Sequence, residues 1–292
     1  MTPPGIHLLH KPVGPTSFSV VEAARTGART KTCHGGALDP FASGLLLILV
    51  EPATKLFDHL HAIPKFYEAT VRWGVETDNG DPLGKVVSEG DATNLSPGQL
   101  DDALKHFIGW HDQTPPATSN KRIDGERAYA KAHRGETFEL PPSRVYLHEA
   151  QWIAHDLPRE SRIRMVVRGG YYVRALARDL GRSLGCGAHL TALHRTAIGP
   201  WNDPGPGQQV ELHGREIMPW APTRILTDQE VGELRGDRPI AAGELLAPDW
   251  SPPPGWPDPQ APVRGFHRDR FAFLLQREEE RLRVLTALPG NM

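Results

Sequence analysis

The sequence predicts an α+β fold of 292 residues, closed by a small β-rich domain. Three observations carry that prediction. Leu45 to Val50 is an uninterrupted apolar run of the kind a buried strand presents, although periodicity alone does not separate it from buried helix. Phe66 to Val75 alternates in the strand period, with Tyr67, Ala69, Val71 and Trp73 on one face. After Trp220 the pattern shifts to short apolar runs broken by the proline-rich stretch Ser251 to Pro262.

Taken in order, Ile6 to Lys11 reads as a strand that Pro12-Val13-Gly14-Pro15 ends. Ser19-Val20-Val21-Glu22 has the spacing of a capping box and predicts a helix to about Ala28. Ala53 to Ala62 reads as helix. Ser96 caps a helix over Pro97 to Ile108, closed by Gly109. Val145 to Ile153 and Ile163 to Val167 read as two strands. Gly169-Gly170 opens a helix from about Tyr171 to Leu184, in which Val173, Ala177, Leu180 and Leu184 recur at core spacing. Arg174, Arg178 and Arg182 then share a neighbouring stripe, and they are read here as phosphate-gripping residues together with the basic segment Lys121 to Arg134, whose end is expected to be helical. Beyond a boundary near Pro222, Leu226 to Leu234 predicts a short helix and Pro239 to Leu246 a strand or turn. Phe271 to Leu275 is expected to pair with Arg281 to Leu285. The domains are accordingly expected at 1–222 and 223–292.

Composition bounds the function. Hydrophobic content of 39% and charged content of 23% are those of an ordinary globular protein. No apolar run approaches the roughly 18 residues of a membrane span, and the N-terminus lacks the basic and apolar segments of a signal peptide, so a cytoplasmic location is expected. Cys33 and Cys186 are too few for a disulfide framework. The net charge of -2 is unevenly spread: Arg159 to Arg195 holds eight Arg against Glu160 and Asp179. Affinity for phosphates follows the local field rather than the total, so a nucleic-acid partner is compatible with the balance.

The chemistry centres on Lys31 to Lys55, KTCHGGALDPFASGLLLILVEPATK. Asp39 stands between His34-Gly35-Gly36 and Pro40-Phe41-Ala42-Ser43-Gly44. Gly35 and Gly36 admit positive φ or the close approach of a ligand, and Pro40 biases Asp39 towards an extended conformation. A carboxylate on a tight loop in front of a buried strand is well mounted for catalysis, while the same composition also makes ordinary turns. Thr77-Asp78-Asn79-Gly80-Asp81 lacks the ligand spacing and distal Glu of a calcium loop and reads as a turn. Gly181-Arg182-Ser183-Leu184-Gly185 matches a hydrolase nucleophile elbow. That reading requires a strand before Ser183, where the pattern is helical, and an acid between Ser and His, where Asp203 precedes only His213 and His267.

HGGALDPFASGLLLILVEPATK, KFYEATVRWGVETDNGD, QTPPATSNKRIDGERAYAKAHRG and GGYYVRALARDLGRSLGCGAHLTALHRTAIG occur in one order over roughly Ile6 to Gly199. In that order they resemble the successive motifs of the bacterial tRNA pseudouridine synthase B (TruB) family. The tail, LTDQEVGELRGDRPI with FAFLLQREEERLRVLTAL, is similar to the shortened PUA-like domain of some members. The resemblance implies a pseudouridine synthase fold with a mixed, mainly antiparallel central sheet flanked by helices. It implies isomerisation of uridine 55 in the T-arm of tRNA to pseudouridine, with no metal or organic cofactor. It assigns the catalytic positions to Asp39, Tyr67 and Arg174, with Asp39 the essential aspartate, Tyr67 stacking on the flipped base and Arg174 pairing with the aspartate. Lys11, His34, Gly36, Lys121, Tyr172 and Leu193 fall on substrate-binding positions. Departures lie at Thr118-Ser119-Asn120-Lys121, where the family has Tyr-Ser-Ala-x-Lys, at Leu193-His194-Arg195, where it has Leu-Arg-Arg, and at Glu51-Pro52. The expected partner is tRNA alone, bound by a monomer with no protein or membrane partner. The alternative is an RNA-binding chaperone of tRNA folding whose catalysis is secondary or lost.

Overall fold

In the computed structural model, residues 2–25, 30–119, 121–123, 126–128, 131, 134, 136, 138–257 and 261–288 are described. The strands in chain order are β1 (Gly5–Lys11), β2 (Thr32–His34), β3 (Ser43–Val50), β4 (Lys65–Trp73), β5 (Val75–Thr77), β6 (Val86–Glu89), β7 (Gly109–Gln113), β8 (Arg122–Ile123), β9 (Glu126–Arg127) and β10 (Ser143–Asp156). They continue with β11 (Glu160–Val167), β12 (Ala188–Ile198), β13 (Trp201–Asn202), β14 (Gln209–Leu212), β15 (Thr223–Ile225), β16 (Ile240–Ala241), β17 (Val263–His267), β18 (Arg270–Glu278) and β19 (Arg281–Ala287). The helices are α1 (Ser17–Ala24), α2 (Phe57–His61), α3 (Pro97–Lys105), α4 (Val173–Ser183) and α5 (Asp228–Arg235), and a 3-10 turn (Ala53–Leu56) leads into α2. The chain is thus mixed α+β with mainly antiparallel pairing, as expected. It divides into two compact units, one of residues 1–39, 44–63 and 197–292, the other of residues 40–43 and 64–196.

In the first unit, the apolar run resolves into strand: Leu45 to Val50 is fully buried in β3. β1 pairs antiparallel with β3 from Gly5↔Val50 to Lys11↔Gly44, and β14 lies on the other side of β1. β2 pairs antiparallel with β3 through Thr32↔Val50, Cys33↔Leu49 and His34↔Ile48. The expected capping box at Ser19 is corrected. Thr16 is the N-cap, its side chain accepting from the Ser19 backbone N–H, because an extended residue must precede the first turn and Ser19 is already helical. The helix ends at Ala24 and is capped by Arg25, and the rest of the expected stretch lies at residues outside the described set.

The expected helix after Leu226 forms as α5, with Thr227 and Glu230 closing a capping box. A second sheet runs β15-β17-β18-β19-β16, with β15 parallel to β17 and the rest antiparallel. Leu226, Val231, Leu234, Val263, Phe273, Leu275 and Leu282 form an apolar cluster of its own. Its other side is not separate: Phe266, Phe271 and Leu274 join Ile6, Leu8, Leu47, Trp201 and Trp220 in the larger cluster of this unit. Arg264 staples the two together. Fully buried, it donates to the carbonyls of Arg215, Ile217 and Ala221 at 2.8, 3.1 and 3.1 Å and to Asp249 Oδ2 at 2.9 Å.

In the second unit the sheet runs β12-β4-β11-β10-β7, antiparallel from β4 through β11 and β10 to β7. The alternation of β4 is as expected: Tyr67, Ala69, Val71 and Trp73 are buried and the residues between them are not. α3 starts with the Ser96 and Gln99 capping box and stops three residues short of the expected end, and α4 packs against β4 and α3. β7, which has no counterpart among the expected elements, starts at Gly109 with a φ of 89°. Asp78 to Asp81 is a turn, as expected.

Arg264 and Asp249 allow the staple to be tested. Arg264→Ala strands three buried carbonyls and should cost on the order of 3–5 kcal/mol in urea unfolding. Asp249→Asn, at a half-exposed partner, should cost about 1 kcal/mol or less. Equal costs would show that the ion pair rather than the carbonyls carries the staple.

Candidate active site

The Asp39 mount is built within the first unit. Gly35 lies so close to β3 that an added Cβ would stand 3.0 Å from Leu47 Cβ, and its N–H donates to the Leu47 carbonyl at 2.9 Å. Gly36 turns the chain at a φ of 125°, which a side chain would disfavour. Leu38 is then pinned by Ser17, whose hydroxyl donates to the Leu38 carbonyl and accepts from the Leu38 N–H, both at 2.8 Å. Asp39 follows at once and is half-buried. Its backbone is therefore held on both sides of Leu38 by groups that are themselves buried, which is what a fixed catalytic carboxylate requires. Ser17 was not read as a site residue, since its partner lies twenty-one positions on and forms no local pattern. His34 is half-buried on β2, opposite Ile48. Lys11 is fully buried at the end of β1, its amine donating to the Pro12 carbonyl at 2.8 Å.

The second unit holds Tyr67, Arg174, Tyr172, Leu193 and Lys121. Arg174 is only 3% exposed, in the first turn of α4. It donates to the Asn79 carbonyl at 2.8 Å, to Thr118 Oγ1 at 2.7 Å and to the Thr118 carbonyl at 3.2 Å. Asp81 Oδ2 stands 3.7 Å away. A cation in the first turn works against the helix dipole, and Asp81 is an anion that offsets it. The turn is shaped for this. Asp81 Oδ1 accepts from Asn79 Nδ2 and from the Leu83 N–H at 2.8 Å, and Gly80, at a φ of 74°, would set a Cβ 3.1 Å from the Arg174 carbonyl oxygen.

Tyr172 is the N-cap of α4 and supplies no side-chain cap. Gln113 does so instead, accepting from the Tyr172 N–H at 2.9 Å and donating to its carbonyl at 3.1 Å. Leu193 is buried on β12, and Lys121 is exposed. Thr118, at a position where a family Tyr was expected, is a ligand of the Arg174 guanidinium rather than an aromatic surface.

Tyr67 is buried, and the guanidinium of Arg195, itself 1% exposed, lies 5.9 Å from its ring centroid and donates to its hydroxyl at 3.3 Å. Lys65, two positions before Tyr67 on the same strand face, is 4% exposed. Burial, with the like charges of Arg195 and Arg168, pulls its amine down to about 7. Neither Lys65 nor Arg195 was singled out from the sequence as a site residue, because a cation's burial is not a local pattern.

Arg174, Arg178 and Arg182 do not present one common surface. Arg174 is buried, Arg178 binds Asp179 Oδ1 and the Thr114 carbonyl at 2.8 and 2.9 Å, and Arg182 pairs with the buried Glu76 at 2.6 Å. The expected helical end of Lys121 to Arg134 falls largely on residues outside the described set, although Arg134 binds Glu126 and Glu136 at 2.6 Å. Ser183 ends α4 and donates to the Leu180 carbonyl at 2.8 Å, so no strand-to-helix elbow presents it. Among the described residues, no cluster of His, Cys, Asp and Glu has the form of a metal site, and no helix is long and apolar enough to cross a membrane.

Two family models match the chain: the N-terminal domain of TruB family pseudouridylate synthases over residues 24–173, and the C-terminal domain of tRNA pseudouridylate synthase B over residues 174–214. The tRNA pseudouridine synthase B of Streptomyces griseus is 37% identical over 295 residues, covering 96% of this chain and 95% of that one. Those of Streptomyces avermitilis and Thermotoga maritima are 40% and 39% identical, covering 68% and 67% of this chain. The matches span 69% of the Streptomyces avermitilis protein and 63% of the Thermotoga maritima protein. A crystal structure of a Cbf5–Nop10–Gar1 complex shares the fold, with a TM-score of 0.64 at 20% identity, covering 97% of this chain and 84% of that one.

Two outcomes are expected. Asp81→Asn keeps the turn's size but removes the carboxylate beside the buried Arg174 guanidinium, and should lower turnover and cost about several kcal/mol of stability; an unchanged rate would make Asp81 a turn former only. For Lys65, an unfolded lysine titrates near ~10.4, so between about 7 and that value the unfolded chain binds a proton that the folded one does not. Stability should therefore rise with pH across that window. Below it the burial penalty is fully felt, and Lys65→Met should exceed the wild type in urea unfolding at pH 7 by an amount that shrinks towards pH 10.

Proposed function

The chain belongs to the TruB family of pseudouridylate synthases, and from that membership we propose that it isomerises uridine 55 in the T-arm of tRNA to pseudouridine. The observation that carries the reading is the Asp39 mount, a carboxylate set behind two glycines and fixed by the Ser17–Leu38 hydrogen bonds. The relatives named tRNA pseudouridine synthase B supply the substrate class.

The reaction breaks the C1'–N1 bond, rotates the uracil in place and joins C5 to C1'. The proton lost from C5 is balanced by one gained at N1. Asp39 acts at the sugar, either by attack on C1' or by removal of the 2'-proton. Arg174 falls on the family's Arg that pairs with this aspartate, a role in which a guanidinium favours the ionised carboxylate. Its guanidinium is already oriented by Asn79, Thr118 and Asp81 and needs little rearrangement. Tyr67 offers the uracil an aromatic face and a hydroxyl near C5. Flipping the nucleotide costs a few kcal/mol, which stacking and the insertion of His34 offset. Lys11, Gly36, Tyr172 and Leu193 shape the uridine site, and exposed Lys121 meets the RNA backbone. Residues 223–292 serve as a shortened PUA-like domain on a catalytic body of residues 1–222. The enzyme acts as a monomer in the cytoplasm.

A tritium-release assay tests this on unmodified tRNA carrying 5-tritiated uridine. Wild type should release tritium from a single T-arm uridine, and Asp39→Asn should bind tRNA but release it more slowly by more than about 10²-fold. Release from another uridine would overturn the site, and undiminished release by Asp39→Asn would overturn the role of the carboxylate.

A further inference from the structure

The guanidinium of Arg195 has no place in the chemistry just described, yet it is almost wholly removed from water and lies against the one aromatic ring that the chemistry uses. A buried cation is expensive, and an apolar side chain of similar volume would fill the same space at lower cost. Its geometry is specific. Arginine has donors only, so in the Arg195–Tyr67 hydrogen bond the phenol oxygen accepts, and the hydrogen of the hydroxyl must point elsewhere. At 3.3 Å this bond is at the long end of the range, but the guanidinium also stands over the ring, 5.9 Å from its centroid, so the side chain is held by its face as well as by its tip. Both residues sit on neighbouring strands, β4 and β12, which the Thr196 hydroxyl joins further by donating to the Phe66 carbonyl at 3.3 Å. The pair is thus mounted on two rigid elements rather than on loops.

We propose that Arg195 is a positioning residue for Tyr67: it occupies one face of the ring and one lone pair of the phenol oxygen, leaving the opposite face and the hydroxyl hydrogen for the uracil. The proposal rests on the reading of Tyr67 as the residue that meets the flipped base. With the guanidinium over one side of the ring at its hydroxyl end, the base is assigned to the other side. With its oxygen already engaged, the hydroxyl enters each turnover as a donor of fixed direction. Arg195 touches no reacting atom in this scheme and acts through Tyr67. Its charge is felt in the same patch by Lys65, whose amine it helps to lower.

The test is a double-mutant cycle read by single-turnover tritium release from 5-tritiated tRNA, with tRNA affinity and thermal unfolding measured for each protein. The variants are Tyr67→Phe, Arg195→Met, Arg195→Lys and the pair Tyr67→Phe with Arg195→Met. Arg195→Met should slow the chemical step by on the order of 10- to 100-fold at unchanged tRNA affinity, and Arg195→Lys should recover part of that loss. In the Tyr67→Phe background, the Arg195→Met change should cost no more than about a few-fold further, because its route of action has gone. Fully additive losses would overturn the proposal while leaving the role of Tyr67 intact, as would a loss confined to tRNA affinity or an unchanged rate in Arg195→Met. An unchanged rate in Tyr67→Phe would overturn the reading of Tyr67 and the proposal with it. Should Arg195→Met fail to fold, the same cycle with Arg195→Lys, which keeps the buried charge, decides by the same criterion.

Discussion

A guanidinium taken out of water must be met by acceptors on several sides, and Arg174 imposes that demand on the second unit. Its acceptors come from places far apart in the chain, the turn at Asn79 and Asp81 and the segment at Thr118. Leaving any of them unfilled would strand part of a buried charge, at a cost of several kcal/mol. The turn cannot retreat from the helix, and Gly80 has no side chain because the Arg174 backbone occupies that space. Gln113 fixes the start of the same helix through the Tyr172 backbone. The direction of the Arg174 side chain is therefore a property of four chain segments rather than of one residue.

Two buried basic groups of this unit differ in their electrostatic surroundings. Arg174 lies among oxygens and a carboxylate, so its charge is answered. Lys65 is buried, and the guanidinium groups of Arg195 and Arg168 add to the effect of burial in pulling its amine down to about 7. The contrast follows from the mounts. Arg174 projects from a helix start towards a turn rich in Asp and Asn, whereas Lys65 and Arg195 project from neighbouring strands onto one face, where alternation brings like groups together.

Much of this was legible in the sequence where the signal is local. The buried run of β3, the alternation of β4, the Ser96 cap and the two C-terminal strands are patterns that a few consecutive residues state in full. The helix α1 shows how a local pattern misleads: Ser19 and Glu22 have the spacing of a cap, but Thr16, three residues earlier, starts the helix and leaves Ser19 inside it. What escaped were pairings across long separations. Ser17 with Leu38, Arg195 with Tyr67 and Arg174 with Asp81 each join a residue to a partner that only the fold brings near. The arginine stripe on α4 divides for the same reason, with Arg174 buried and Arg182 exposed, since helical spacing says which residues share a face but not what already occupies it.

The C-terminal strands have one further consequence. Phe266, Phe271 and Leu274 share an apolar cluster with the first strand of the chain, Arg264 reaches into the segment before them, and Lys55 donates to the Ala287 carbonyl at 3.0 Å. A tail so joined is not an interchangeable cassette. Deleting or grafting it would tear open the hydrophobic interior of the unit that carries Asp39, so change across lineages should accumulate away from this seam.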